Sequence, residues 1–193
     1  VDHPDQATFL YLLQTQLLKN NGQALTARKL LDEALKSAPD DPELLYARIL
    51  LLGPKETSLL NRDLEKLLAA APDNPTYLNA YAYALADQNR RLDDARHLAE
   101  RANSLAPHQS SILDTLGYVA LRQGDLIRAV TALQEAYGQS RSFSIGLRLA
   151  QTLRDLKRSA EMAQLLSELT PETPDQKAQL QRLKDSTKEN TRE

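Results

Sequence analysis

The chain has 193 residues, a formal net charge of -2 and a pI near 6.0, so it carries no overall attraction for phosphate backbones or anionic membranes, and nucleic acid is excluded as a general partner. Hydrophobic residues make up 41%, charged residues 26% and aromatics 5%, with Val and Ile scarce and Trp absent, a balance that favours helix over sheet and is too apolar for a disordered chain. With no cysteine there is no disulfide framework, thiolate zinc site or cysteine nucleophile, and no bridge from which to read the compartment.

No run of residues approaches the roughly 20 apolar positions of a membrane span, and no basic segment leads into an apolar signal core. The chain is therefore expected to be soluble, with no direct membrane insertion. It opens at Val1 and its only methionine is Met162, so it reads as an excised fragment or a processed form.

A fixed period decides the architecture before any local reading does. Ala27 to Ala95 is 68 residues and Ala95 to Ala129 is 34; Ala34 to Ala102 is again 68, and Ala102 to Ala136 again 34. Gly22 and Gly124 lie 102 apart, three times 34. Taken in chain order, the first unit, 4–39, carries Gly22, Ala27, Leu31, Ala34 and a closing Pro39. The second, 42–72, opens on Asp41-Pro42-Glu43, an N-cap followed by Pro at the first helical position. It has Ile49 where the other units place Gly or Ala and breaks at Gly53-Pro54, so its helices are expected to cross at an altered angle.

The third unit, 75–107, opens on Asn74-Pro75 and carries Tyr81-Ala82, Ala95, Ala99, Ala102 and Pro107, with one extra residue in its turn, Gln88-Asn89-Arg90-Arg91. The fourth, 110–141, should be capped by Ser110 and has Leu116-Gly117, Gly124-Asp125, Ala129, Leu133 and Ala136. The small residues mark helix crossings too close for a larger side chain, and Leu113, Leu116, Leu133 and Tyr137 should fill the space beside them. The fifth, 143–170, has Leu149-Ala150 but Lys157-Arg158-Ser159 in place of a turn glycine. Thr173-Pro174-Asp175-Gln176 is a capping box, which predicts a last helix over 174–184 and a frayed polar tail over 185–193. The map is eleven helices and no strand.

These units resemble the tetratricopeptide repeat (TPR), whose roughly 34-residue module is a helix A, a tight turn and a helix B, with a large residue then Gly or Ala in A, Gly at the turn, two alanines in B and a closing Pro. The fourth unit matches best. The resemblance implies an all-α fold: a right-handed TPR-type α-solenoid of about five helix-turn-helix repeats in one array over 1–184, plus a C-terminal capping helix. It also implies that the A helices line a concave groove that holds a protein or peptide partner. In the family register the lining residues are Thr76, Asn79, Tyr83, Ala86 and Asp87 of the third unit, then Ser111, Asp114, Tyr118, Leu121 and Arg122 of the fourth. The fifth adds Ser144, Leu147, Gln151, Arg154 and Asp155. Tyr offers a large rigid contact face, and Arg and Asn can bond a peptide backbone or carboxylate; the competing reading is that Tyr83 and Tyr118 pack between neighbouring A helices.

Family members that clamp chaperone C-termini use Lys and Asn at set positions, where the first unit has Leu12 and Gln16; chaperone-tail binding is not expected. A narrower resemblance is carried by Tyr77-Leu78-Asn79-Ala80-Tyr81-Ala82-Tyr83-Ala84-Leu85-Ala86-Asp87 and by Ile112-Leu113-Asp114-Thr115-Leu116-Gly117-Tyr118. These runs look like the C-terminal arrays of bacterial envelope lipoproteins, some of which are adaptors for periplasmic proteases or for polysaccharide export. That implies a periplasmic or outer-membrane-tethered location over a cytoplasmic one. The alternative function is a structural, self-associating part of a secretion or export assembly, as a homo-oligomer.

Signals for catalysis are weak, and neither an enzyme nor a cofactor or metal is expected. His3, His97 and His108 are scattered, and His97 with Glu100 at i, i+3 reads as a surface pair. There is no Gly-rich phosphate loop or nucleophile elbow, and the paired acids Asp40-Asp41 and Asp93-Asp94 sit at predicted helix starts, where they favour the macrodipole. Between Arg141 and Arg158 five basic residues face one acid, Asp155. The segment could dock an acidic partner, or be a solvated face neutralised by Glu161 and Glu168, which is the stronger reading.

Overall fold

In the computed structural model, which describes the backbone of residues 4–189, the chain is all helix and turn, with no strand among the described residues. Eleven helices follow in order: α1 (Pro4–Asn20), α2 (Ala24–Ser37), α3 (Pro42–Ile49), α4 (Thr57–Ala70), α5 (Pro75–Asp87), α6 (Leu92–Leu105), α7 (Ser110–Arg122), α8 (Leu126–Ser140), α9 (Phe143–Asp155), α10 (Ser159–Glu168) and α11 (Pro174–Glu189). Each odd-numbered helix up to α9 packs against the even-numbered one that follows it, and each pair packs only on its neighbours. This is an α-solenoid of five stacked hairpins with α11 laid against α9 and α10, the architecture expected when no hairpin can bury its apolar face alone.

Apolar clusters therefore follow one another along the stack rather than merging into one core. Leu31, Leu35, Leu44, Leu45 and Leu67 join the first two hairpins. Leu64, Tyr81, Leu85, Ala95 and Val119 join the second through fourth, and Leu133, Tyr137, Leu149, Leu153, Met162 and Leu180 run from α8 to α11. The alanines that set the period, Ala27, Ala95, Ala99, Ala102, Ala129 and Ala136, have no accessible surface. At Gly117 a Cβ would lie 2.6 Å from Leu133 Cγ, so the α7–α8 crossing is closed to any side chain there.

Side-chain caps set several helix starts. Asp41 accepts from the backbone N–H of Glu43 and Leu44 at 3.0 and 3.1 Å, and Asn74 from Thr76 and Tyr77 at 3.0 and 3.3 Å. Thr173 and Gln176 exchange side chain-to-backbone bonds at 3.2 Å each, a complete capping box. Ser110 is not a cap: the cap position of α7 is Gln109, whose side chain makes no capping bond. The last helix continues past Lys184 to Glu189, with a Gln181–Asp185 side-chain bond of 2.9 Å one turn apart on it. The rest of the expected tail, 190–193, lies outside the described residues.

The second hairpin departs from the others. Its α3 has only 8 residues and stops at Ile49, where neighbouring units place the small residue of the crossing. In compensation Arg48 reaches across to Asp63 with two bonds of 2.8 Å and to Asp32 at 3.0 Å. Asp32 pairs with Arg28 at 3.1 Å, Arg28 with Glu56 at 3.1 Å, and Glu56 accepts from the Gly53 N–H at 2.8 Å. A chain of charges thus ties α2, α3, α4 and the 50–56 connection where the apolar crossing is interrupted.

Every hairpin turn except the 50–56 connection of the second holds a left-handed residue. Gly22 (φ +71) and Gly124 (φ +80) supply it without cost, whereas the fifth hairpin places Lys157 there at φ 58. A Cβ in this region costs about 1–2 kcal/mol, partly offset by the greater unfolded-state freedom of Gly. Lys157→Gly should therefore raise stability by about 0.5–1 kcal/mol in urea denaturation, and a loss of stability would show that the side chain, not the turn, matters at this position.

Candidate functional site

Helices α5 and α7 pack directly on one another, which sets residues 35 apart side by side. Tyr83 and Tyr118 stack with ring centroids 5.1 Å apart at 30°. From the next hairpin Arg148 lays its guanidinium 4.5 Å from the Tyr118 centroid and donates from Nη1 to Asp114 Oδ1 at 2.6 Å. Three side chains from three successive hairpins thus form one ladder, Tyr83–Tyr118–Arg148, whose outer rung Tyr83 is 40% exposed.

Polar bonds fix the ladder. The Tyr118 hydroxyl donates to Asp87 Oδ1 at 3.1 Å, and Arg122 Nε donates to the Ala86 carbonyl at 3.1 Å. Burial raises the Asp114 carboxyl above its ordinary pKa, against the pull of Arg148. Burial also raises the Tyr118 phenol, helped by its bond to Asp87, so both tyrosine and carboxylate are held in a partly dry setting where charge–ring contact is worth ~0.5–2 kcal/mol. The result is a rigid surface of one exposed aromatic face flanked by the acid Asp87 and the cation Arg122, both at the surface.

Of the residues expected at the groove, Tyr83, Asp87, Asp114, Tyr118 and Arg122 come together here. The two tyrosines pack against each other between neighbouring A helices, and Tyr83 keeps one face open to solvent. Thr76 and Ser111 are exposed near the starts of α5 and α7, at the edge of this cluster. Asn79 is half-buried, and its side-chain oxygen accepts no hydrogen bond from the protein. Gln151 and Arg154 do not join the ladder: with Leu147 they line a separate cleft of about 340 Å³ closed by Gln179, Arg182 and Leu183 of α11.

Arg148 was missed as a lining residue, because the family register places Leu147 rather than Arg148 at the inner position. Its separation from Asp114 is 34 residues, one period, and an acid and a base one period apart was the available signal. The basic stretch proves largely neutralised: Arg141 pairs with Glu168 at 3.1 Å, Arg158 with Glu161, Arg154 with Asp155 at 3.0 Å and Arg148 with Asp114. The paired acids have structural partners too, Asp40 with Lys66 at 2.7 Å and Asp94 with Arg91 at 2.6 Å. His97 and Glu100 form an exposed pair at 3.9 Å.

No family model matches the chain. Over 136 residues, 70% of its length, it is 38% identical to a TPR repeat-containing protein of Pseudomonas aeruginosa, and it spans 23% of that relative. Among solved structures it is similar to a thermophilic TPR protein, TTC0263, of Thermus thermophilus (TM-score 0.78, 20% identity, 91% of this chain and 98% of that one). It is also similar to pilF of Pseudomonas aeruginosa (TM-score 0.73, 20% identity, 97% and 87%) and to a tetratricopeptide repeat protein from Parabacteroides merdae (TM-score 0.78, 13% identity, 96% and 74%).

Proposed function

The chain belongs to the tetratricopeptide-repeat family, and on that footing we propose that it is a scaffold or adaptor that holds a protein or peptide segment along the inner face formed by α5, α7 and α9. The family's general role in protein–protein interaction supports the first part of this reading. The Tyr83–Tyr118–Arg148 ladder supports the place. An aromatic face pre-set by a stack and two hydrogen bonds loses little conformational freedom on binding, which is what makes Tyr and Arg frequent anchors. Asp87 and Arg122, on either side, can accept from and donate to an extended backbone.

The partner class is protein rather than substrate. A bacterial envelope adaptor is the narrower role we favour, on the resemblance of Tyr77–Asp87 and Ile112–Tyr118 to envelope lipoprotein arrays. Peptides selected from a displayed library on the immobilised chain should bind a Tyr83→Ala, Asp87→Ala variant about 30-fold more weakly, the loss of one anchor of about 2 kcal/mol. Circular dichroism should be unchanged, since both side chains are exposed. Equal binding of the selected peptides to the variant would move the site elsewhere on the array.

A further inference from the structure

The first helix carries a surface that solvent does not explain. Between Gln6 and Leu18 there is no acidic or basic residue, although a helix with one face to water normally carries charges on it. Phe9, Leu10, Leu13 and Leu17 are all about half exposed or more.

The period tells what three of these leucines are for. Gly22 and Gly124 are 102 residues apart in the same left-handed turn, and the same offset pairs Ala27 with Ala129, Leu31 with Leu133 and Ala34 with Ala136, all buried. Carried into α1, the register places Leu10, Leu13 and Leu17 at the positions of Ile112, Thr115 and Val119 of α7. Those three are 2%, 3% and 1% exposed; their counterparts in α1 are 56%, 48% and 56% exposed. What covers Ile112 and Val119 in α7 is the hairpin before it: Ile112 packs with Leu78 and Ala102, and Val119 with Leu85 and Ala95. Leu25 does not belong to the surface, since its counterpart Ile127 is exposed as well.

We propose that the Leu10–Leu13–Leu17 face of α1 is a stacking surface for a further helix-turn-helix repeat, seated on α1 as α5 and α6 are seated on α7. The face continues an interface already repeated along the stack. The opposite end differs: the described α11 exposes no large apolar side chain, only Pro174 and Ala178 among polar residues, and Leu180 and Leu183 are buried against the array. One end is thus finished for water and the other for a neighbour.

The chain extended by a duplicate of its own fourth hairpin, residues 110–141, placed directly ahead of Pro4, tests this. The thermal midpoint should rise by about 5–10 °C over the unextended chain, and α1 amides should exchange more slowly. Leu10→Gln, Leu13→Gln, Leu17→Gln should abolish the rise while leaving the unextended chain as helical as before; Leu13→Glu alone serves if the triple variant loses α1. No rise, or the same rise with and without the leucines, would overturn the proposal. So would a dimeric unextended chain that Leu13→Glu makes monomeric in analytical ultracentrifugation, because the occupant would then be a second copy.

Discussion

Arg48→Ala should destabilise the array by about 3–5 kcal/mol, read as a drop in the urea midpoint with an unchanged slope. Asp63 has no accessible surface, and Arg48 supplies both of its close hydrogen bonds. Removing the guanidinium leaves a buried carboxylate facing only Arg62 at 3.7 Å, a side chain 62% exposed to water. The penalty lies in stranding the acid rather than in losing the attraction, because a buried pair roughly repays its own desolvation. Arg48→Met combined with Asp63→Leu should accordingly recover most of the loss. If Arg48→Ala costs less than about 1 kcal/mol, the Arg48–Asp63 pair is not what holds α3 to α4.

Leu133→Ala should cost about 2–5 kcal/mol, since Leu133 is fully buried and joins α8 to α7 and α9. Its effect is coupled to Gly117. On the intact background Gly117→Ala drives a methyl to 2.6 Å from Leu133 Cγ and 2.9 Å from Cδ2, an overpacking worth about 1–3 kcal/mol. With Leu133 truncated those atoms are gone, and the nearest remaining contact is the Ala129 carbonyl at 3.3 Å. The double variant should therefore be more stable than the sum of the two losses by about 1 kcal/mol or more in a double-mutant cycle. Simple additivity would mean the crossing relaxes and the glycine is not fixed by contact.

These two sites explain why the fold was legible and the second hairpin less so. Small residues at a fixed period mark close crossings, and the period survives in any single sequence because the geometry repeats. At Ile49 the rule lapses, and what replaces it is the bonding of Arg48 to Asp63, 15 residues away in sequence. Nothing in local propensity or periodicity marks such a pair. Caps with a side-chain acceptor, Asp41, Asn74 and Thr173, were readable because the donor lies within three residues. Ser110 was misread because a hydroxyl one position inside the helix has the same composition as a cap.

The candidate site followed the same division. Tyr83, Tyr118 and Asp114 were reached from the family register, which fixes a face. Arg148 escaped it because its long side chain leaves its own position and lies over Tyr118, a displacement set by Asp114 rather than by register. Gln151 and Arg154 had the right register but meet α11, whose path across α9 no repeat pattern encodes.

The row of separate apolar clusters, each spanning two or three successive hairpins, has a mechanical corollary. Tension applied at the two termini would meet a series of modest barriers instead of a single large one, so the molecule should lengthen elastically at low load and then yield in discrete steps, one hairpin at a time. A partner held on α5 and α7 would stiffen the middle of that spring and leave its ends compliant.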